Sequence, residues 1–445
     1  MYRYLDANDP RFAADSDSQT IQNAVDAAET GGVSTVSIPR RCARTGKDEW
    51  IIDRTILLPS NITIILDDCR LTLAPGVYQN IFRNRNMYTD ISLKKEGRQY
   101  GIKIIGHGGA TLDGGEGNDL RESTSEKDGR PHVRFNNFVL LHNVQNFVLE
   151  GFRCVNMRWW ALNHICCSHG RLSNLDFFNG RHVPNQDGIN FRIGCSHMIV
   201  ENITGRTGDD TVALTALPLC GDSKLVLEDG NIDIHDITIR NVRADTRCSV
   251  VALRNNDGAK LYRVDIENIS DAGGGEYIPW DVVHLGENNY YRRRTAEPGE
   301  TYDINVRGVY STARGAVILG GTLKNARISD VYAGGGAMHA ISSYLPTQIF
   351  EENGCEITGG VTLENVLFDN IHYDGKAAYK NQGWLIDTTE EYNGCALYFR
   401  SMRESDFFKR VTFRDIYAGE GAALFMPPKN VESFDLSGMT LQNAE

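Results

Sequence analysis

The chain has 445 residues, with 46 Lys and Arg against 58 Asp and Glu, and a formal net charge of −12. That balance disfavours nucleic acid and anionic membrane surfaces as partners. Its ten cysteines form no Cys-x-x-Cys pattern, and no run approaches the ~18 apolar residues of a membrane span. Thiols scattered along a chain this long read as small buried hydrophobes of a reducing compartment, or as a few disulfides if the protein is secreted. Residues 1–12 lack the apolar core of a signal peptide. The expectation is a cytoplasmic protein, or a secreted one whose leader has been removed.

Residues 17–30 give the best helix signal, because Ile21, Ala24, Val25 and Ala28 fall on one face. Asp17 or Ser18 is placed to cap its start, and Gly31-Gly32 to stop it. A strand is expected from Val33 to Ile38, ending at Pro39. One amphipathic helix ahead of a long strand-rich chain is what a solenoid needs to cover its exposed first coil.

Beyond residue 40, short β-branched segments recur. They include Phe147–Phe152, Ile199–Ile203, Ile237–Val242, Val264–Ile269, Ile304–Val309, Ala326–Val331, Val361–Val366 and Val411–Ile416. Their last residues lie 22 to 51 positions apart, with a polar residue or Gly just before the final apolar one. A constant strand motif at variable spacing marks coils that keep their strands and vary their loops. No long helical period follows residue 30, and hairpin turns of the Asn-Gly type are few. An all-β, right-handed parallel β-helix is therefore expected. It forms one domain over 1–445, with a cap over 1–40 and coils over 41–445. Long loops near 115–135, 270–302 and 372–396 are expected to rise from one face and wall in a site. Tyr290, Trp384, Tyr379 and Tyr392 lie in the last two.

One stretch, Asn185 to Leu214, concentrates carboxylates. Asp187 stands in Asn185-Gln186-Asp187-Gly188, and the pair Asp209-Asp210 follows Gly208. The 22 residues from Asp187 to Asp209 make about one coil, since solenoid repeats run to ~20–45 residues. Successive coils would stack the two motifs. Adjacent strand residues point to opposite faces, so Asp209 and Asp210 share a site only at a turn, which Gly208 permits. Crowded carboxylates split one another's proton affinities, which suits glycosidic cleavage: one acid protonates the leaving oxygen and another carboxylate activates water or attacks carbon. Turn formation and a calcium site are the other readings of the same residues.

From Asn143 to Leu214 the chain resembles glycoside hydrolase family 28, the polygalacturonase-like enzymes of the pectin-lyase-like superfamily. The residues that carry this are Asn143-Val-Gln-Asn-Phe-Val148, Trp159-Trp160-Ala-Leu-Asn-His164, Pro184–Gly188 and Gly208-Asp209-Asp210. Asn185-Gln186-Asp187 stands where the family has Asn-Thr-Asp. The resemblance implies Asp209 as general acid, Asp187 with Asp210 activating water, and inversion at the anomeric carbon. It also implies an oligosaccharide or polysaccharide substrate of the plant cell wall, and no metal or cofactor. Two family motifs are missing. Residues 246–254 hold no histidine where the family has Gly-His-Gly. Residues 279–285 (Pro279, Trp280, Asp281, Val282, Val283, His284, Leu285) hold no Arg or Lys where it has Arg-Ile-Lys.

Arg254 and the run Arg292–Arg294 are candidate replacements for the lost cations. Candidate substrate-binding residues are Asn185, His284, Arg254, Arg247, Trp160 and Trp280, with His164 and His182 as further histidines able to reach a site face. Closed loops on one face suggest exo action. Two other readings stay open: a non-catalytic glycan-binding or tailspike-like β-helix, and a lyase or transferase on the same fold. The oligomeric state is not legible.

Overall fold

The computed structural model describes residues 4–115, 136–179, 185–219, 223–273, 280–286, 294–343, 361–375, 394–399, 407–426 and 438–442. The fold is a right-handed parallel β-helix, as the strand pattern implies. Two compact units are distinguished: Met1–Asp210 with Leu225–Asn231, and Thr211–Lys224 with Ile232–Glu445.

In the first unit every named strand pairing is parallel. One column of strands climbs through Leu5–Asp6, Thr35–Pro39, Thr63–Asp67, Lys103–His107, Val144–Glu150, Ser168–Phe178 and Ser196–Arg206. A second holds Trp50–Ile52, Arg70–Leu73, Thr111–Asp113 and Arg153–Val155, and is continued by the C-terminal parts of the two longest strands. A third stacks Ile56–Leu58, Phe82–Asn84, Val139–His142, Leu162–Ile165 and Ile189–Arg192. The register sets like on like. Val36, Ile64, Ile104, Leu149, Leu172 and Val200 form one buried ladder. Each such side chain contributes about 1.5–3 kcal/mol by leaving water.

The second unit repeats the scheme with long strands from Ile234–Asp245 to Phe408–Ala418 and short ones from Val212–Ala216 to Ala423–Met426. Its inner ladder runs Ile239, Ile266, Val306, Ile328, Phe368, Phe413. On its surface Tyr310, Tyr332, His372 and Tyr417 stack at 5.3, 4.9 and 4.4 Å between successive rings.

The polar residue before the last apolar one in each repeat is a corner. Asn202, Asn241, Asn268, Asp330 and Asp415 all take positive φ, between 54° and 58°. Asn and Asp tolerate this left-handed conformation better than other side chains that carry a Cβ. A second corner lies five residues earlier, as in Asp236 before Asn241 and Arg263 before Asn268. The corner amides form ladders: Asn202 donates to Asn174 at 3.1 Å, Asn268 to Asn241 at 2.8 Å and Asn365 to Asn325 at 2.9 Å. The two corners look alike in sequence, which displaces one expected repeat. The true equivalent of Ile304–Val309 is Val366–Ile371, five residues beyond the Val361–Val366 reading, because Ile304, Ala326 and Val366 share a register position.

Helix α1 spans Asp17–Thr30 and buries Ile21, Ala24, Val25 and Ala28, as its periodicity requires. Its cap is Ser16, whose side chain accepts from the Gln19 N–H, and not Asp17 or Ser18. Those two face inward because the first coil's edge strands need partners. The Asp17 carboxylate accepts the Ile51 N–H at 2.8 Å, and Ser18 Oγ accepts the Asp53 N–H at 2.9 Å. Gln22 pairs with Leu57 as a strand would, accepting its N–H at 2.7 Å and donating to its carbonyl at 3.2 Å. Unpaired strand edges invite aggregation, and here helix side chains occupy them.

Two checks of this cap follow. Gln22→Leu should lower stability by about 1–3 kcal/mol, since it strands a backbone donor and acceptor. Gln19→Ala, on the same helix but with side-chain bonds only to the side chains of Asn23 and Arg54, should change it by under about 0.5 kcal/mol. Thermal denaturation of the two variants tests the difference, and equal melting temperatures would remove the proposed role of Gln22.

Candidate functional site

All three aspartates of the acidic motifs lie in the first unit. Asp187 ends the turn before the Ile189–Arg192 strand, and Asp209 and Asp210 lie in the bend after Ser196–Arg206. The two turns are joined through their backbones. Gln186 O accepts the N–H groups of Gly208 at 3.1 Å and Asp209 at 3.4 Å, and Gly188 N–H donates to Asp210 O at 3.0 Å. Ala161 N–H donates to Asp187 O at 2.9 Å, which fixes the turn to the coil before. Asp187 is thus held between two residues that are hydrogen-bonded to the Asp209–Asp210 bend.

The carboxyl groups of Asp187 and Asp209 are also held individually. Asp187 and Asp210 are buried and Asp209 is half-buried. Asn190 Nδ2 donates to Asp187 Oδ2 at 2.8 Å. Both oxygens of Asp209 accept backbone N–H groups, Asn185 at 2.7 Å and Asp210 at 2.9 Å. Asn185 can reach it because it takes the left-handed conformation, with φ of 67°. Its contribution is therefore a backbone donor. Thr207 Oγ closes the bend onto Asp209 O at 2.6 Å.

Asn190 is positioned from the core. His164 lies inside the coil, stacked on Phe147 at 4.9 Å and tilted against Phe191 at 5.1 Å. Its Nδ1 bonds to Asn190 O at 3.0 Å, so that nitrogen carries the proton, because a carbonyl can only accept. Burial pushes the imidazole down to about 4 and keeps it neutral. The expectation that His164 reaches a site face is corrected: it is a core residue that orients Asn190, whose side chain in turn holds Asp187. Asn190 escaped the sequence reading, although its spacing from Asp187 across Gly188-Ile189 was visible.

Trp160 is buried beside Trp159, with ring centroids 5.4 Å apart, and Arg192 lies 4.5 Å over its ring. Asn137 Nδ2 holds the Trp160 carbonyl at 2.7 Å. A face covered by a guanidinium is not open as a sugar platform, so Trp160 packs the wall. Trp159 Nε1 and Asn163 Oδ1, a donor and an acceptor, are buried with no hydrogen-bond partner among the described residues. Asn163 is the register partner of Asn190. The sequence reading includes both in the Trp159–His164 motif but gives neither a role; Trp159 lies in the bend before the Leu162–Ile165 strand that holds Asn163.

His284, Arg254, Arg247 and Trp280 belong to the second unit. His284 Nδ1 is 3.1 Å from Asp281 Oδ2. Trp280 is half-buried with Arg314 5.0 Å over its ring. Arg254 is half-buried and Arg247 exposed. Arg294 pairs with both oxygens of Glu300, at 2.9 and 2.6 Å. Arg292, Arg293, His182, Tyr290, Tyr379, Trp384, Tyr392 and most of the three long loops lie outside the described residues. The eight described cysteines are free thiols, and seven of them are buried. Among the described residues no helix is long and apolar enough to cross a membrane.

Residues 81–218, which contain both acidic turns, match the model of glycosyl hydrolases family 28. Over that stretch the chain is similar to family 28, and it is a glycoside hydrolase. No curated protein sequence matches the chain. Among solved structures it is similar to an exopolygalacturonase of Thermotoga maritima, at 14% identity and a TM-score of 0.52, over 100% of this chain and 92% of that one. A mannuronan C-5 epimerase A-module of Azotobacter vinelandii is similar at 12% identity and 0.58, with both chains covered completely. The tailspike protein of E. coli bacteriophage HK620 is similar at 13% and 0.53, over 95% of this chain and 78% of that one. At these identities the likeness shows the fold, which carries hydrolysis, epimerisation and glycan binding alike.

The buried histidine gives this glycoside hydrolase a defined acid response. Between pH 6.5 and about 4 the unfolded chain takes up a proton that native His164 refuses. Stability therefore falls as pH drops through that window and levels off below it. From the shift alone the loss at pH 5 is about 2 kcal/mol. His164→Phe should show a smaller fall in melting temperature between pH 7 and pH 5 than the parent protein. An unchanged difference would remove His164 from the acid response.

Proposed function

We propose that the chain hydrolyses glycosidic bonds of a pectin-like plant cell-wall oligosaccharide, with inversion and by exo action. What carries this is the backbone pairing of residues 186–188 with 208–210, which sets three carboxyl groups on adjoining turns. The family match over the same stretch supports the reaction class. The exopolygalacturonase with this fold, together with the motif resemblance, supports the substrate class.

In this reading Asp209 is the general acid and delivers a proton to the leaving oxygen. Its two backbone donors fix the plane of the carboxyl. Asp187 and Asp210 hold and deprotonate the water that attacks the anomeric carbon from the opposite side. Inverting enzymes keep acid and base about 6.5–9.5 Å apart to admit that water. Asn190 directs Asp187 through its amide donor. Asn163 Oδ1 and Trp159 Nε1 are the buried groups available to sugar hydroxyls.

Asp209→Asn should lower sugar release by about 10²–10⁴-fold while glycan binding persists. Asn offers one acceptor oxygen where two N–H groups now bind, so a thermal melt must accompany the assay, and Asp187→Asn provides an independent loss. Product configuration read by NMR on first turnover should be inverted. Retention would overturn the assigned roles. Unchanged activity in both variants would overturn the site, and a new double bond in the product would make the chain a lyase.

A further inference from the structure

The second unit holds buried polar atoms left unmatched among the described residues. Asp281 is 1% exposed and Ser342 is 3% exposed, yet Asp281 Oδ1 and Ser342 Oγ have no hydrogen-bond partner there. Leaving such groups unmatched costs about 1–3 kcal/mol each, and more for a charge.

Both lie on one face of the short-strand sheet. Asp281, Gly315 and His339 share one register position on three successive coils, and His284, Ile318 and Ser342 share another. Asp281 and His284 touch across three residues, at 3.1 Å, so they face the same way. Between them and His339–Ser342 stands Gly315, which has no side chain to fill its place. A Cβ at Gly315 would find only Trp280 O at 3.8 Å and Ser342 Oγ at 3.9 Å among its nearest atoms. The glycine therefore leaves a notch. Ser342 leans over it from one side, and the Asp281 rung borders it at the ~4.8 Å spacing of paired strands. Ile318, beside Gly315, and Tyr398, the register partner of Ser342, are half-buried, so the face meets solvent there and offers an apolar floor.

We propose that this notch binds the hydroxyl groups of an uncharged sugar residue and rejects a uronate. A hydroxyl can donate to Asp281 Oδ1, and a neighbouring hydroxyl can exchange a hydrogen bond with Ser342 Oγ. A sugar carboxylate brings a second negative charge against Asp281 and supplies no donor. The notch is built from second-unit residues alone and does not depend on the roles given to Asp187, Asp209 and Asp210.

The test uses the full chain and measures binding, not turnover, by calorimetry and saturation-transfer NMR. The probes are the methyl glycosides of galactose, glucose, xylose and rhamnose, with methyl galacturonoside as the charged counterpart of the galactoside. At least one neutral glycoside should bind, and Gly315→Val should weaken it at least tenfold by filling the notch, while any uronate binding elsewhere stays as it was. Asp281→Asn should narrow the preference for neutral over charged sugar. Ser342→Ala should weaken the neutral sugar while leaving the melting temperature of the unliganded protein equal or higher, because it removes an unmatched hydroxyl. A purely structural role for Ser342 would lower that temperature instead. The proposal is overturned if no neutral glycoside binds, if Gly315→Val, shown folded by circular dichroism, binds as the parent does, or if calcium chloride binds and Asp281→Asn abolishes that binding.

Discussion

The structure depends on parallel strands paired in register from one coil to the next. Parallel pairing aligns each residue with its counterpart above and below, so a side chain chosen once must suit a whole column. Apolar columns result, such as Val36 through Val200 in the first unit and Ile239 through Phe413 in the second. Amide columns at the corners satisfy one another where the chain bends, and aromatic columns stack ring on ring. The same constraint makes the first coil a liability. Its strands have no partner on one side, and the inward polar groups of α1 supply it.

Register also explains how carboxylates from successive coils come together. The turns before the third column of the first unit recur at the same height in each coil. A carboxylate in one such turn is carried alongside a carboxylate in the next by main-chain hydrogen bonds, not by side-chain contacts. Side chains are then free to aim the acids: Asn190 holds Asp187, and backbone donors hold Asp209. Behind them a neutral histidine between two phenyl rings anchors Asn190. This layering, from core ring to amide to carboxylate, holds the carboxylates in place although they sit in turns.

The likeness to family 28 is confined to one segment of this chain. The family match takes in the acidic turns, while the regions that hold the family's histidine and cationic motifs read differently here. The region lacking Arg-Ile-Lys carries Asp281 and His284, in hydrogen-bond contact with each other. A solenoid permits such exchange readily, since a residue on an outer face can change without disturbing the inner ladder that holds its coil.

The strand repeat, the covering helix and the stacking of the acidic motifs were legible in the sequence because each depends on local pattern: a period of two, a period of 3.6, and a spacing of about one coil. The corner residues were legible as polar punctuation. Which of two similar corners a segment occupies was not, because register is settled by the neighbouring coil, and the Val361–Val366 segment was displaced for that reason. The cap was misplaced by one or two residues because Asp17 and Ser18 are competent caps locally, and only the unpaired strand beside them draws them inward. Asn190 was passed over, Asn163 and Trp159 were given no role, and His164 was misjudged, on similar grounds. Whether a polar side chain in a buried strand faces the core, a neighbour or an open notch depends on what stands on adjoining coils, and that is a tertiary fact.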